Sequence, residues 1–354
     1  MTALVPMPGD AALPAGAPPG IELVPYRLEG TAGRIAAVGR VLLSGQPFQN
    51  ALFASRDLAG KLALLAPRHD LVWLQLVRLA PFAAAAGATP AVVDLIDSLA
   101  LNFERRAARD RSWLCPLWRW EAKRLARAEA SAVASARAAL VVCERDRRHL
   151  AARLPPELAG RVQVLPLIQA PAPAPAATSD HEPGRLIFTG NLGYFPNADA
   201  ARCLLIDLWP AIQRASPSAR LTLAGDRPGR ALRRLATTAG AELEASPADL
   251  AARLARAAIS LAPLRAGSGT PIKVLEAWAA GVPVVASPWA AAGTTAEPGR
   301  DLLVAETPAE WAEAVRRLLE DPALANRLAE AGREHLRADY GAGVVRGRLA
   351  EILR

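Results

Sequence analysis

The segment RAGSGTPIKVLE, residues 265–276, brings residue types that can bind an anion into one short stretch. It follows ISLAPL (259–264), an apolar run that is typical of a buried strand. Gly267 and Gly269 allow backbone torsions and close approaches that a side chain would block. A helix predicted to begin at Pro271 would direct its unpaired amides and its positive end toward this loop. The stretch therefore predicts a site for phosphate groups.

Charged side chains flank this loop. Thr270 is a natural N-cap, Arg265 ends the strand and Lys273 lies in the first turn of the helix, so two cations could neutralise one diphosphate from opposite sides. Glu276 follows Lys273 by three residues and shares its helical face, where a carboxylate could accept hydrogen bonds from both hydroxyls of a ribose. Alternatively, the glycines only serve a turn, and Lys273 and Glu276 form a surface ion pair. The order of the features favours a nucleotide-diphosphate cradle.

The same residues carry a resemblance to a known family. The pattern G-x-G-x-x-x-K-x-x-E-A followed by GVPVVAS resembles the signature of the retaining glycosyltransferases of group 1, or family 4, which have the GT-B fold. FTGNLGYFPNADA (188–200) and LTLAGDRPG (221–229) resemble two further segments of their C-terminal domain. LLSGQPFQNALFASRDLAGKL, DLVWLQLVRLAPF and AVVDLIDSLALN resemble a subgroup tied to bacterial exopolysaccharide export.

The resemblance implies a retaining transferase that moves a hexosyl group from a nucleotide-diphosphate sugar to a lipid-linked acceptor or a growing envelope polysaccharide. It implies no cofactor and no essential metal. Glu276 would hold the ribose, while Arg265 and Lys273 would neutralise the diphosphate, whose departing phosphate accepts the proton of the acceptor. Asp97 would orient the acceptor hydroxyl, although capping the next helix is an equal alternative for this acid. The implied donor-binding residues are Gly190, Asn191, Gly193, Gly225, Asp226, Gly267, Ser268, Gly269 and Thr270.

The sequence also departs from the pattern of the family. Ser268 stands where the family often has a first glutamate near the donor sugar, and the usual Arg and Lys are absent from TGNLGYFPN. Family members begin with a strand, a glycine-rich loop and a helix before the segment that MTALVPMPGD resembles. The N-lobe is therefore expected to lack roughly one βα unit, either because the assigned start is late or because the N-lobe is incomplete. A non-catalytic or truncated relative, and a sugar-nucleotide epimerase on the same fold, stay open as alternatives.

Apolar runs alternate with helical stretches in both halves of the chain, which is typical of α/β domains with a parallel sheet covered on both faces. We expect two Rossmann-like doubly wound domains facing a cleft, with the ligand at the carboxyl ends of the strands. The predicted organisation is an acceptor-side domain (1–168), a Pro/Ala linker (169–184), a nucleotide-sugar domain (185–337) and a closing helix (338–354) that returns to the N-lobe. Long helices are expected at about 49–66, 103–136 and 197–214.

The composition of the chain indicates its cellular compartment and the kind of partner that it binds. A net charge of +8 favours anionic partners, although an arginine-rich genome would give the same excess. Three scattered cysteines, no secretory signal and no apolar run of membrane-spanning length predict a cytoplasmic protein that is at most peripheral to a membrane. The basic stretch 105–130 contains Trp113, Trp118 and Trp120 and could lie on an anionic leaflet, unless the tryptophans pack into the domain.

Two other classes of protein fit less well. A dinucleotide-dependent dehydrogenase would need G-x-G-x-x-G and an acid about twenty residues later, but GSGTPI lacks the third glycine. A nucleic-acid-binding module would present a basic stripe with stacking aromatics, whereas the arginines here are scattered through amphipathic helices, so no nucleic-acid partner is expected.

Overall fold

The computed structural model describes residues 1–7, 18–30, 33, 39, 45–53, 55–170 and 181–354. Contacts between residues divide the chain into two compact units. The first contains Met1–Glu104, Ser112–Val141 and Arg147–Val164, and the second contains Arg105–Arg111, Val142–Asp146 and Leu165–Arg354. The second unit thus includes two short segments from the first half of the chain. It also includes the closing helix.

The first unit is built on a four-stranded parallel sheet in the order β3-β4-β5-β6. A separate pair of parallel strands, β1 and β2, precedes it. Strand bounds are β1 Thr2–Met7, β2 Glu22–Arg27, β3 Val72–Gln75, β4 Ala91–Ile96, β5 Ala138–Val141 and β6 Val162–Val164. The middle strands β4 and β5 are the apolar runs that the sequence indicates, because both of their faces are covered. Strands β1 and β6 are not predicted.

Among the described residues, six α-helices belong wholly or partly to this unit. They are α1 Phe48–Leu52, α2 Arg56–Leu65, α3 Leu99–Arg109, α4 Cys115–Ser135, α5 Glu144–Ala151 and α6 Pro156–Ala159. Residues 105–109 of α3 and 144–146 of α5 fall in the second unit. The prediction of a single helix at 103–136 is wrong, because residues 110–114 are not helical and separate α3 from α4. Pro116 lies in the first turn of α4, where its missing amide hydrogen costs no hydrogen bond. The helix predicted at 49–66 is likewise interrupted between α1 and α2.

The second unit contains a six-stranded parallel sheet in the order β12-β11-β10-β7-β8-β9. The bounds are β7 Glu182–Thr189, β8 Arg220–Gly225, β9 Glu242–Ala245, β10 Ala257–Ala262, β11 Val284–Ala286 and β12 Leu303–Val304. The chain enters at β7, adds β8 and β9 on one side, and then returns to add β10, β11 and β12 on the other. The order therefore reverses between β7 and β10, which is where ligands bind in sheets of this kind.

The helices of the second unit connect these strands. They are α7 Phe195–Cys203, α8 Trp209–Ala215, α9 Arg230–Thr238, α10 Leu250–Ala255, α11 Ile272–Ala280, α12 Pro288–Ala291, α13 Pro308–Glu320, α14 Pro322–Tyr340 and α15 Ala342–Leu353. A π-helical turn, Leu204–Leu208, joins α7 to α8 within the predicted stretch 197–214. Buried Trp209, Trp278 and Trp311 fill the core between these helices and the sheet.

The predicted linker ends too late. Residues 171–180 lie outside the described part of the chain, but β7 already begins at Glu182, whose amide donates to the Arg256 carbonyl at 2.8 Å. Arg185 on the same strand forms an ion pair with Glu182 at 2.8 Å and another with Glu244 at 3.0 Å. The first half of β7 therefore contains charged residues that are held by ion pairs, and an apolar run in the sequence does not indicate such residues as part of a strand.

Candidate functional site

The carboxyl ends of β7 and β8 meet through two glycines. Gly190 has φ 144° and Gly225 has φ 148°, and a side chain at Gly225 would run into the carbonyl oxygen of Gly190. The Gly190 amide donates to the Ala224 carbonyl at 3.1 Å, and the Leu192 amide donates to the Asp226 carbonyl at 2.7 Å. Two sequence motifs that lie more than thirty residues apart are therefore joined backbone to backbone at the ends of β7 and β8, next to the β7–β10 boundary where the strand order reverses.

The loop after β7 is ordered by its own asparagines. The Asn191 side chain accepts a hydrogen bond from the Gly193 amide at 3.0 Å, and the Asn197 side chain donates to the Asn191 carbonyl at 3.1 Å. Exposed Arg227 lies next to Gly193, since a methyl group on Gly193 would stand 3.1 Å from the Arg227 carbonyl oxygen. The predicted donor residues Gly190, Asn191, Gly193, Gly225 and Asp226 are thus brought together, and Arg227 is a basic neighbour that the sequence analysis overlooks.

Lys273 reaches this glycine junction from helix α11. Its buried ammonium donates to Asn197 Oδ1 at 2.7 Å and stands 4.7 Å from the centre of the Phe188 ring. A methyl group at Gly190 would lie 2.9 Å from Asn197 Nδ2 and 3.1 Å from Lys273 Nζ, so both nitrogens converge beside the Gly190 Cα. Burial lowers the pKa of Lys273 to about 8. We call Gly190, Asn197, Lys273 and Glu276 the Lys273 cradle.

Glu276 lies one turn further along α11 and is half-buried. Burial raises the pKa of its carboxyl group, while the nearby Lys273 charge lowers it in part. Within the described residues, no hydrogen bond or ion pair engages this carboxylate. It can therefore accept hydrogen bonds from a ligand, as a ribose contact would require.

Arg265 does not lie as predicted. Its guanidinium forms two hydrogen bonds with Asp199, Nε to Oδ2 at 3.1 Å and Nη2 to Oδ1 at 2.8 Å. Asp199 and Asn197 are two residues apart on helix α7 and so point to different faces of it. Arg265 and Lys273 consequently engage different faces of α7, and Arg265 neutralises a carboxylate of its own chain. Asp207 lies 3.8 Å from Arg265 Nη1 and adds a second carboxylate.

The glycine loop before α11 is held by two residues that the sequence analysis does not single out. The Gly269 amide donates to Asp146 Oδ2 at 2.9 Å, and Arg145 Nη2 donates to the Gly269 carbonyl at 2.7 Å. A buried carboxylate of the same chain therefore occupies the amide of Gly269, one of the residues implied to bind the donor. The motif CERD begins two residues after the buried strand β5 ends, and charged residues at such a strand end were the available signal.

The remaining loop residues serve packing. Thr270 is not the N-cap; helix α11 begins at Ile272 with Pro271 as its cap residue, and the Thr270 hydroxyl donates to the Val142 carbonyl at 3.3 Å. Gly267, with φ 100°, packs against Pro196 at the start of α7. Ser268 is half-buried in the same loop.

Asp97, the predicted acceptor-side acid, lies in the first unit. It is half-buried directly after β4, and its amide donates to the Leu95 carbonyl at 2.7 Å. The start of helix α3 is capped by other side chains: Ser98 Oγ accepts from the Leu101 amide at 3.2 Å, and Glu129 Oε1 accepts from the Ala100 amide at 2.9 Å. These caps weaken the alternative of Asp97 as the helix cap.

Comparisons of the sequence with known proteins give a family match within the second unit. Residues 183–321 match the family model "Glycosyl transferases group 1". A GDP-mannose-dependent monoacylated alpha-(1-6)-phosphatidylinositol monomannoside mannosyltransferase of Corynebacterium glutamicum is 32% identical over 162 residues. That match covers 42% of this chain and 42% of the relative, so the chain spans less than half the length of this relative.

Solved structures extend the likeness across the chain. HepE of Anabaena in complex with UDP superposes with a TM-score of 0.68 at 14% identity, covering 94% of this chain and 86% of that one. OtsA superposes at 0.65 and 14% identity, over 100% of this chain and 92% of the other. Sucrose-phosphate synthase of Thermosynechococcus elongatus gives 0.65 at 17% identity, with coverages of 86% and 80%. The chain has the α/β fold of these GT-B glycosyltransferases, as the sequence predicts.

Proposed function

We propose that this protein is a glycosyltransferase that binds a nucleoside-diphosphate sugar at the Lys273 cradle and transfers the sugar to an acceptor. The carrying observation is that the Lys273 ammonium and the Asn197 amide converge beside Gly190 while the Glu276 carboxylate on the same helix is unengaged within the described residues. The matched family model over 183–321 contains all four residues. The UDP in the HepE structure supports a nucleotide donor.

In the proposed reaction, the bond between the anomeric carbon and the distal phosphate oxygen of the donor breaks. Negative charge then grows on the leaving phosphate, and a preorganised cation lowers the barrier by stabilising that charge. Lys273 is already fixed by Asn197 and Phe188, so little reorganisation is needed when the charge appears. Its pKa of about 8 keeps it mostly protonated at neutral pH.

Retention of configuration and independence from metal ions are further parts of the proposal. Both rest on the resemblance of the motif 267–277 to the retaining family, in which the leaving phosphate takes the proton of the acceptor. The anomeric signals of the product in NMR test the first: an α-linked donor should give an α-linked product. Turnover in excess EDTA tests the second, since a metal-dependent enzyme would lose its rate.

A lipid-linked or envelope glycan is the acceptor that we propose, and the surface of α4 supports contact with a membrane. Trp113 is 87% exposed, and Leu117 and Trp120 are each 37% exposed. Leu117 and Trp120 are three residues apart on α4 and share a face, near Arg119 and Lys123, while Trp113 lies in the turn just before this helix. Trp118 packs on Phe103 at 5.9 Å between ring centres, and Trp120, although partly exposed, packs on Phe48 at 5.2 Å. The alternative of packed tryptophans therefore holds for two of the three, and Trp113 is the exposed one.

The membrane contact has its own test. No helix in the described part of the chain is both long and apolar enough to cross a membrane, so the proposed contact lies at the surface. Co-sedimentation with vesicles containing anionic lipid should decrease when Trp113 and Trp120 are both changed to Ser. Equal pelleting of wild type and variant would contradict it.

A thermal-shift screen against UDP, GDP, dTDP and ADP tests donor binding. The preferred nucleotide should raise Tm the most, because stabilisation grows with the logarithm of ligand concentration over Kd, and Glu276→Ala should remove most of that rise. Glu330→Ala, an exposed glutamate on α14, is the matched control and should keep it. No shift with any nucleotide would contradict the cradle. Binding without nucleotide release would favour the non-catalytic alternative, and donor consumption without release would favour an epimerase.

A further inference from the structure

A second basic site lies in the same unit as the Lys273 cradle. A cavity of about 320 Å³ is lined by three arginines, Arg105, Arg109 and Arg265. Trp289, Trp311, Pro263 and Leu264 supply apolar walls. Neither Lys273 nor Gly190 lines it. We call it the arginine cavity.

The three arginines differ in how their charge is compensated. Arg265 is neutralised by its bidentate pair with Asp199. Arg109 donates only its Nε, to the Arg265 carbonyl at 2.9 Å, and makes no ion pair within the described residues. Its terminal nitrogens therefore retain unused donors.

Arg105 is the least satisfied of the three. Its guanidinium stacks 3.7 Å from the centre of the Trp289 ring, and its buried Nε has no hydrogen-bond partner among the described residues. Burial, together with the charges of Arg109 and Arg145, lowers the pKa of Arg105. Among the residues that the structure describes, neither the Arg105 nor the Arg109 guanidinium forms an ion pair. The cavity wall does contain one carboxylate, that of exposed Glu306.

An unpaired guanidinium in a partly desolvated cavity is stabilised by an anion that accepts from several of its nitrogens at once. Phosphate oxygens suit that geometry, and the tryptophan and proline walls suit a small ring attached to the phosphate. The volume lies at the lower end of the range for small-molecule sites.

We propose that the arginine cavity binds a phosphate ester, held by Arg105 and Arg109, at a site separate from the Lys273 cradle. The phosphate could belong to a free sugar phosphate, a monoester, or to an acceptor glycan or lipid, a diester. The proposal requires no covalent step. It also does not depend on the proposed transfer reaction.

Isothermal titration with glucose 1-phosphate and with dibutyl phosphate tests the site. The double variant Arg105→Gln/Arg109→Gln should bind both probes at least tenfold more weakly than wild type at an unchanged Tm. Arg202→Gln, an exposed arginine on α7, removes one charge elsewhere and should bind as wild type does. Glu306→Gln should bind more tightly, because it removes a negative charge from the cavity wall.

The outcomes separate this site from the donor site and identify the source of the phosphate. Lys273→Met should keep phosphate-ester binding while losing nucleotide binding, so either proposal can fail alone. Tighter binding of the monoester indicates a free sugar phosphate, and tighter binding of the diester indicates an acceptor. Unchanged affinity in the double variant, or loss of probe binding in Lys273→Met, would overturn the proposal.

Discussion

Lys273 and Arg265 lie eight residues apart, on either side of one glycine loop. They differ in their hydrogen-bond partners, because Lys273 is bonded to a neutral amide and Arg265 to a carboxylate. Lys273 is buried and bonded to a neutral amide, so its charge has no carboxylate hydrogen-bonded to it in the described structure. Arg265 is half-buried and bonded to Asp199, with Asp207 near by. Both residues contact helix α7, on different faces.

The difference shows that the number of basic residues near a loop does not measure its capacity for an anion. A cation that already has a carboxylate partner must exchange that partner for the ligand, whereas an uncompensated buried cation gains from any anion that arrives. The Lys273 cradle should therefore bind the diphosphate, and the Arg265–Asp199 pair should mainly hold α7 to the loop.

Replacing Lys273 gives the largest expected effect on binding. Lys273→Met keeps the length of the side chain and removes the charge, so affinity for the preferred nucleoside diphosphate should fall by roughly 100-fold, about 2.7 kcal/mol. Stability should hold or rise, since a buried ammonium without a carboxylate partner is lost. Titration calorimetry and thermal melts measure the two effects. Wild-type affinity in this variant would place the diphosphate elsewhere.

Gly190→Ala tests the closeness of the cradle. The methyl group would meet Asn197 and Lys273 at about 3 Å, and the φ of 144° is unfavourable for alanine. We expect a loss of about 1–3 kcal/mol in the free energy of unfolding and a nucleotide affinity reduced by roughly tenfold or more. Gly229→Ala is the control, because a methyl group there meets open space and φ is −66°. Similar behaviour of both variants would contradict the close approach.

The affinity for nucleotide should depend on pH through Lys273. Its pKa is lowered from 10.5 to about 8 in the free protein, so the charged fraction falls as pH rises through about 8. From pH 7 to pH 9 affinity should drop roughly tenfold. The free energy of unfolding should not decrease through Lys273 over this range. Between about pH 8 and pH 10.5 the lysine binds more protons in the unfolded protein than in the folded one, so its contribution to stability rises with pH. In Lys273→Arg the affinity loss should disappear.

Arg265→Met should have the smallest effect on nucleotide binding, with affinity changed less than about threefold. Its effect should appear in Tm instead, because Asp199 is left partly buried without its partner, at a cost of roughly 1–3 kcal/mol. Adding Asp199→Asn should restore much of that loss. A large drop in affinity without a change in Tm would restore Arg265 as a diphosphate ligand.

The strands and the cradle could be read from the sequence for different physical reasons. The last residues of β7 and β8 are buried on both faces, so these strands appear as apolar runs that end at Gly190 and Gly225, the glycines that the site needs. Lys273 and Glu276 were identifiable because both lie on one helix, where a spacing of three residues fixes their common face.

What the sequence does not predict depends on contacts between distant segments. Asp199 is 66 residues before Arg265, and Asp146 is 123 residues before Gly269. The local sequence pattern does not show that Asp199 pairs with the Arg265 guanidinium, or that Asp146 accepts from the Gly269 amide. Both of these groups were predicted to bind a ligand. Strand β6 is missed for a similar reason, because three residues give too little periodicity.

The most direct test is a crystal structure of the protein with its preferred nucleoside diphosphate. We expect phosphate oxygens within hydrogen-bonding distance of Lys273 Nζ beside Gly190, ribose hydroxyls bonded to Glu276, and the Arg265–Asp199 pair unchanged. A diphosphate bound to Arg265 in place of Asp199, with Lys273 still bonded only to Asn197, would contradict this expectation.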